Sequence, residues 1–169
     1  ERFSRGRDLQ TSFVIIDSKS IKNTDTAKEK GFDAGKKVSG IKLHLAVDIL
    51  GLPQAMHITK ADVTDRNGAI EMFITTSDNL TKVQNMLVDS GYSGEKFAGV
   101  VKKILLCSVE VIKKSDLHTF KVMPKRWIVE RTFAWLEKNR RLWKNCERKL
   151  STSKQMTVLA LLTLILRRF

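Results

Sequence analysis

"IKLHLAVDILGLPQAMHIT", residues 41 to 59, alternates with a period of two, so that Ile41, Leu43, Leu45, Val47 and Ile49 share one side. Successive side chains of a strand point to opposite faces, and this spacing predicts a strand with one face in a core. "GLP" at 51 to 53 turns the chain, and "QAMHIT" reads as the antiparallel partner. Outward from this hairpin, "FVIID" at 13 to 17 is a β-branched apolar run, predicting a buried strand that ends near Asp17. "DRNGAIEMFITT" predicts a helix capped by Asp65, "NMLVD" at 85 to 89 a further strand, and "SGYSGEKFAGVV" a turn into a helix with Ser93 as N-cap. "SVEVIKK" at 108 to 114 completes five strands. Pro124 fits the first turn of a long helix, where its missing N–H costs nothing, and a last helix is expected over 153 to 167. The order predicts an α/β sheet flanked by helices. Between Asp17 and the hairpin, "SKSIKNTDTAKEKGFDAGKKVSG" is polar and glycine-containing, and reads as a long functional loop. Residues 1–12 are expected to form a flexible lead-in to one domain over 13–169. The chain opens at Glu1 without a methionine, as a piece of something longer would.

The 169 residues suit a single core, and 42% hydrophobic content argues against disorder. The net charge of +13 implies a polyanionic partner, nucleic acid before an anionic membrane. Lys121 to Lys154 holds 11 Lys or Arg against three Glu and is the expected electrostatic footprint. Two cysteines without a CxxC exclude a disulfide framework and a zinc site, and fit a reducing cytosol. The most apolar run, "MTVLALLTLIL", is too short to span a bilayer.

Three acids stand out. Asp17 and Asp89 each close an apolar strand, and the loops after strand ends are where open α/β sheets place their sites. Such a carboxylate is costly unless paired or metal-bound, although turn formation also favours Asp. Laid out at about 100° per residue, the Pro124 helix gathers Trp127, Ile128, Val129, Phe133, Trp135, Leu136, Leu142 and Trp143 on one side. Arg126, Glu130, Arg131, Glu137, Lys138 and Arg141 lie on the other. Glu130 thus also fits an exposed ion-pair face, bonded to Arg126 one turn earlier.

The contexts "IIDSKSIKNT", "GFDAGKKVSGIKLHLAVDILGLP", "ADVTDRNGA", "VDSGYSG" and "PKRWIVERTFAWLEKNRRL" follow one another as in the DDE transposases of bacterial insertion sequences, which the chain resembles from about Ile15 to its end. The resemblance implies an RNase H-like fold, a mixed five-stranded sheet flanked by helices. It makes Asp17, Asp89 and Glu130 the catalytic, metal-binding acids. In that family the glutamate helix also carries a Tyr, an Arg and a Lys. Arg126 fills the arginine place, Met123 stands in the tyrosine place, and Glu137 stands in the lysine place beside Lys138.

What the resemblance implies is cleavage of transposon ends and strand transfer into target DNA. Two divalent ions, Mg or Mn, roughly 3.5–4 Å apart would activate the attacking oxygen and stabilise the leaving one. Carboxylates are the ligands such hard cations prefer. The expected partners are double-stranded DNA and a second copy of the chain, with no membrane, in the bacterial cytoplasm near the nucleoid. Arg126, Arg131, Lys138 and Arg141 are the expected phosphate contacts. Lys36, Lys37 and Lys42 are either solvated loop charges or a DNA clamp. The rival readings are a non-catalytic DNA-binding remnant and a stand-alone nuclease. Asp48 is expected to shape the hairpin turn, and Asp62 and Asp65 to begin the next helix. His44, His57 and His118 read as structural, and Trp127, Trp135 and Trp143 as core.

Overall fold

The computed structural model describes residues 2–112 and 125–167. Met123, Pro124, His118 and the expected strand extension at 113 and 114 lie outside them. Strands β1 (Phe13–Lys22), β2 (Gly31–Asp33), β3 (Val38–Val47), β4 (Pro53–Lys60), β5 (Asn85–Asp89) and β6 (Ser108–Ile112) form one sheet. Helices α1 (Asp65–Thr76), α2 (Glu95–Leu105), α3 (Trp127–Leu136) and α4 (Leu150–Leu166) cover it. No helix among the described residues is long and apolar enough to cross a membrane.

The predicted hairpin is the antiparallel half of this sheet. β3 pairs with β1 on one edge, from Ile15↔Val47 to Lys22↔Gly40, and with β4 on the other, from Ile41↔Lys60 to Val47↔Pro53. β1 then pairs parallel with β5, and β5 parallel with β6. The sixth strand, β2, comes from the stretch expected to be a loop and pairs with β3 through Gly31↔Gly40. β1 likewise runs five residues past Asp17. Ser18 to Lys22 lack a hydrophobic alternation, but their backbone continues the ladder with β3, which supplies the partners that periodicity cannot announce.

The period-two pattern sorts the core into two layers. Val14, Ile16, Met86 and Val88 face α1 and α2, packing with Ala69, Met72, Phe73, Phe97 and Val101. Ile15, Leu87, Leu43, Leu45 and Val47 face α3 and α4, packing with Ile128, Val129, Phe133, Ala160 and Leu161. Asp17 follows Ile15, and Asp89 follows Leu87, so the same alternation turns both acids toward the α3 layer.

Several element ends differ from expectation. Thr64, not Asp65, caps α1, its hydroxyl accepting from the Asn67 amide at 3.3 Å; Asp65 is the first helical residue, where a negative charge favours the dipole. Gly94, not Ser93, precedes α2. α3 stops at Leu136 because the chain turns back through Arg140–Leu142 to β1, where the Asn145 amide donates to the Lys22 carbonyl. Leu142 and Trp143 therefore do not extend its apolar face, and α4 begins at Leu150. The expected flexible lead-in holds a short 3-10 turn, Phe3–Arg5, and its Arg2 forms an ion pair with the buried Asp48.

Lys42 corrects a second expectation. It lies between Ile41 and Leu43, on the strand face opposite the apolar stripe, and that face is covered by α1 rather than by solvent. Its ammonium donates to the Val63 carbonyl at 2.9 Å and stands 2.9 Å from Asp65 and 3.2 Å from Asp33. A buried lysine is tolerable only with such partners, and none of its charge is left for DNA. Asp33 also accepts from the Ser20 hydroxyl and the Lys36 amide, which anchors the β2–β3 hairpin. Burial alone would raise the Asp33 pKa, but Ser20, the Lys36 amide and Lys42 outweigh it and hold the group at about 2.

Two outcomes follow for stability. A Cβ at Gly68 would lie 2.1 Å from Nε2 of the fully buried His44, so Gly68→Ala should destabilise the fold by about 1–3 kcal/mol. Urea unfolding checks this, and His44→Ala in the same chain should recover part of the loss. Lys42→Met should cost about 3 kcal/mol by stranding two acids. Because Asp33 titrates lower folded than unfolded (about 3.9), its contribution is complete above that pH and fades as pH falls toward about 2. Lys42→Met should flatten that acid limb; an unchanged limb would refute the pairing.

Candidate active site

The β1–β5 ladder ends at Ile15↔Leu87, and two residues further on, in the same register, stand Asp17 and Asp89. β1 stays with β3 while β5 ends, so the sheet opens between the two acids. Each carboxylate uses one oxygen locally: Asp17 Oδ1 accepts from the Ser18 amide at 2.7 Å, and Asp89 Oδ1 from the Gly91 amide at 2.9 Å. Their other oxygens face one guanidinium. Arg126 Nη2 lies 3.5 Å from Asp17 Oδ2 and 3.3 Å from Asp89 Oδ2, and its Nε lies 3.4 Å from Glu130 Oε1. Three acids from three separate elements thus meet at one cation. The contacts are longer than the roughly 2.7–2.9 Å of a tight charge-assisted hydrogen bond, so Arg126 supplies charge more than directional bonding.

Burial pushes the Asp17 carboxyl above its ordinary value; the Ser18 amide and Arg126 oppose this, and the Asp89 charge adds to it. Tyr92, the chain's one tyrosine, is 1% exposed behind the acids, and burial with the nearby charge of Asp17 keeps its hydroxyl protonated. Sequence reasoning passed over it, although it follows Asp89 by three residues in "VDSGYSG".

The expected DNA contacts divide. Lys36 is exposed, donates to the Ser18 carbonyl at 3.2 Å and lowers the Asp17 pKa, which places its charge at the lip of the site. Lys37 and Lys138 are exposed. Arg141 is exposed but engages Glu147 through Nε and Nη2 at 2.9 and 2.7 Å. Lys42 is buried, as described. Arg131 is sandwiched between the rings of Trp127 and Trp135, 4.6 Å from each centroid, and donates to the Leu50 carbonyl. Exposure corrects the core reading for two of the tryptophans: Trp127, in this stack, is 47% exposed, and Trp143, outside it, 63%.

Asp48 shapes the hairpin turn as expected, accepting from the Leu50 and Leu52 amides at 2.9 Å. His44 bonds Thr59, and His57 stands 3.3 Å from Glu71. Asp62 precedes α1 in the turn packed against Gly31.

The site's chemistry fits a hard divalent cation. Its donors are carboxylate oxygens, and a positive group already sits among them. As they stand, no three acidic, histidine or cysteine side chains among the described residues are close enough to hold a metal ion together. Loading would require Arg126 to leave and the three acids to close in.

Comparison with known proteins bears on the family and the fold. The family described as "Transposase DDE domain" matches residues 8–166. Among solved structures, a simian T-cell lymphotropic virus intasome in complex with PP2A regulatory subunit B56 gamma superposes with a TM-score of 0.57 at 17% identity, over 93% of this chain and 49% of that one. The catalytic core domain of BIV integrase superposes with a TM-score of 0.56 at 10% identity, over 90% and 82%. The chain thus spans about half of the first of these and most of the second. Comparison with curated proteins gave no match. The sheet order, the two helical layers and these superpositions are those of an RNase H-like fold. From residue 8 to residue 166 the chain belongs to the transposase DDE domain family.

Proposed function

We infer that this domain cuts and joins DNA as the catalytic part of a transposase, with Asp17, Asp89 and Glu130 as its metal ligands. The observation that carries the reading is the convergence of these acids on Arg126. Family membership supports DNA transposition or integration in general, and the charge of +13 supports a DNA partner.

Asp17 and Asp89 are fixed by neighbouring strands, while Glu130 is brought by α3 and is 58% exposed. A pair of divalent cations bound there would lower the pKa of the attacking water or hydroxyl and neutralise charge on the attacked phosphate. Displaced from the acids, Arg126 becomes a phosphate ligand one turn from Glu130. Lys36 offers a second cation at the lip, and Lys37 and Lys138 extend the basic surface along the backbone. Cleavage by water frees a 3′-hydroxyl, which then attacks target DNA; no covalent protein intermediate is involved. A second copy of the chain, acting on the other end, belongs to the same reading.

The test incubates the protein with labelled duplexes carrying the element's ends, with magnesium or manganese, and resolves nicked from joined products. Joined products support a transposase. Nicks alone point to a nuclease, and binding without any product to a non-catalytic DNA-binding protein. Glu130→Gln should abolish strand cleavage with DNA affinity little changed; wild-type cleavage would reject the assignment. Lys138→Ala should weaken DNA binding across sequences and reduce the salt slope by about one. An unaltered slope would remove Lys138 from the interface.

A further inference from the structure

The turn between β3 and β4 is built around a carboxylate with no solvent exposure. Asp48 Oδ1 accepts from the Leu50 and Leu52 amides, and Oδ2 is paired with Arg2. Arg2 in turn donates to the carbonyls of Asp8 and Gln10, which folds the lead-in onto the turn. So held, the turn presents two successive carbonyls to α3. Arg131 Nη2 donates to the Leu50 carbonyl at 3.0 Å, and the single Thr132 hydroxyl proton is shared between the Gly51 carbonyl at 3.0 Å and the Ile128 carbonyl of its own helix at 3.1 Å.

The approach is close. Gly51 has φ of +82°, and a Cβ there would lie 3.0 Å from Thr132 Oγ1 and 3.2 Å from both Arg131 Nη2 and Trp135 Cζ3. Arg131 is further fixed between Trp127 and Trp135, one turn to either side. Thr132 is fully buried, whereas Glu130, two residues earlier, is 58% exposed. Adjacent side chains bonded to adjacent carbonyls stop α3 from sliding or rotating unless both bonds break. The exposed Glu130 is held by Arg126 and by its helix, whose place depends on the core packing of Ile128, Val129 and Phe133 and on this seat.

We propose that the β3–β4 turn is a positioning device for the glutamate helix, with Asp48 and Thr132 as its two positioning residues and Arg2 as the cation paired with the buried Asp48. The catalytic consequence rests on the function inferred above. The seat itself is independent of it, and the experiment separates the two.

Thr132→Val removes the hydroxyl at nearly constant volume. Asp48→Asn keeps an acceptor for the turn amides but loses the charge facing Arg2. Each variant is followed by thermal unfolding, by hydrogen exchange of amides 127 to 136, and by single-turnover cleavage of labelled end DNA at temperatures where it is folded. Both should exchange faster in α3. Both should cleave about 10- to 100-fold more slowly at saturating DNA, the scale on which a small misplacement lowers a rate, with KM for DNA little changed. The double variant should be no slower than the worse single one, because the two act along one path, and Thr132→Ser should restore the rate. If the folded variants cleave at the wild-type rate, or lose only DNA affinity, the proposal is overturned. If the wild-type chain itself yields no product, the function reading fails instead. The exchange arm then still decides the seat, which unchanged protection of α3 would overturn.

Discussion

Two carboxylates on neighbouring strands, turned to the same side of the sheet, repel each other in a region that burial already makes unfavourable for charge. Asp17 and Asp89 are in that position because both follow a core residue of the α3 layer by two places, in strands that run parallel and in register. Within the sheet the Ser18 amide offsets part of this cost at Asp17. Further relief comes from outside it, from Arg126 at the foot of α3, with Glu130 one turn above. The third acid and the neutralising cation therefore arrive on the same helix. The sheet creates a need for positive charge, and α3 meets it while adding a third carboxylate.

This arrangement explains how a basic chain accommodates an acidic centre. Lys36 approaches from the β2–β3 hairpin and Arg126 from α3, so the acids are bordered by cations on both sides. The hairpin is in turn held by Lys42, whose charge is spent inside the protein between Asp33 and Asp65. Two cations six residues apart thus do unlike work: Lys36 lies exposed at the lip of the site, bonded to the Ser18 carbonyl, and Lys42 fixes the hairpin on which Lys36 stands.

Much of this was legible in the sequence because period two is a strong signal wherever one face is apolar. Ile41 to Ile49, Phe13 to Asp17 and Asn85 to Asp89 gave their strands, and strand ends followed by small residues gave the two aspartates. The motif around Glu130 gave the third acid, and the structure brings all three to one place. What was hidden depended on backbone pairing or on distant partners. Ser18 to Lys22 and β2 are strands because β3 offers a ladder, not because their side chains alternate. The burial of Lys42 depends on α1 covering a face that looks polar in the sequence. Arg131 has the spacing of a phosphate contact, yet it is committed to two tryptophans and a carbonyl 81 residues away. α3 is shorter than its wheel because Asn145 is drawn back to Lys22.

The pairing pattern also sets the order in which the domain can assemble. β3 and β4 are joined by a five-residue turn and can meet early, since closing a short loop costs little entropy. The parallel meeting of β1 with β5 encloses some seventy residues, and seating Arg126 against both encloses more. Contacts of such separation form slowly. The meeting of the three acids is accordingly among the later contacts of the domain to form. A nascent chain carrying the hairpin and both aspartates still lacks the helix that brings the third carboxylate, so the three acids meet only after residue 130 has been made and α3 has docked.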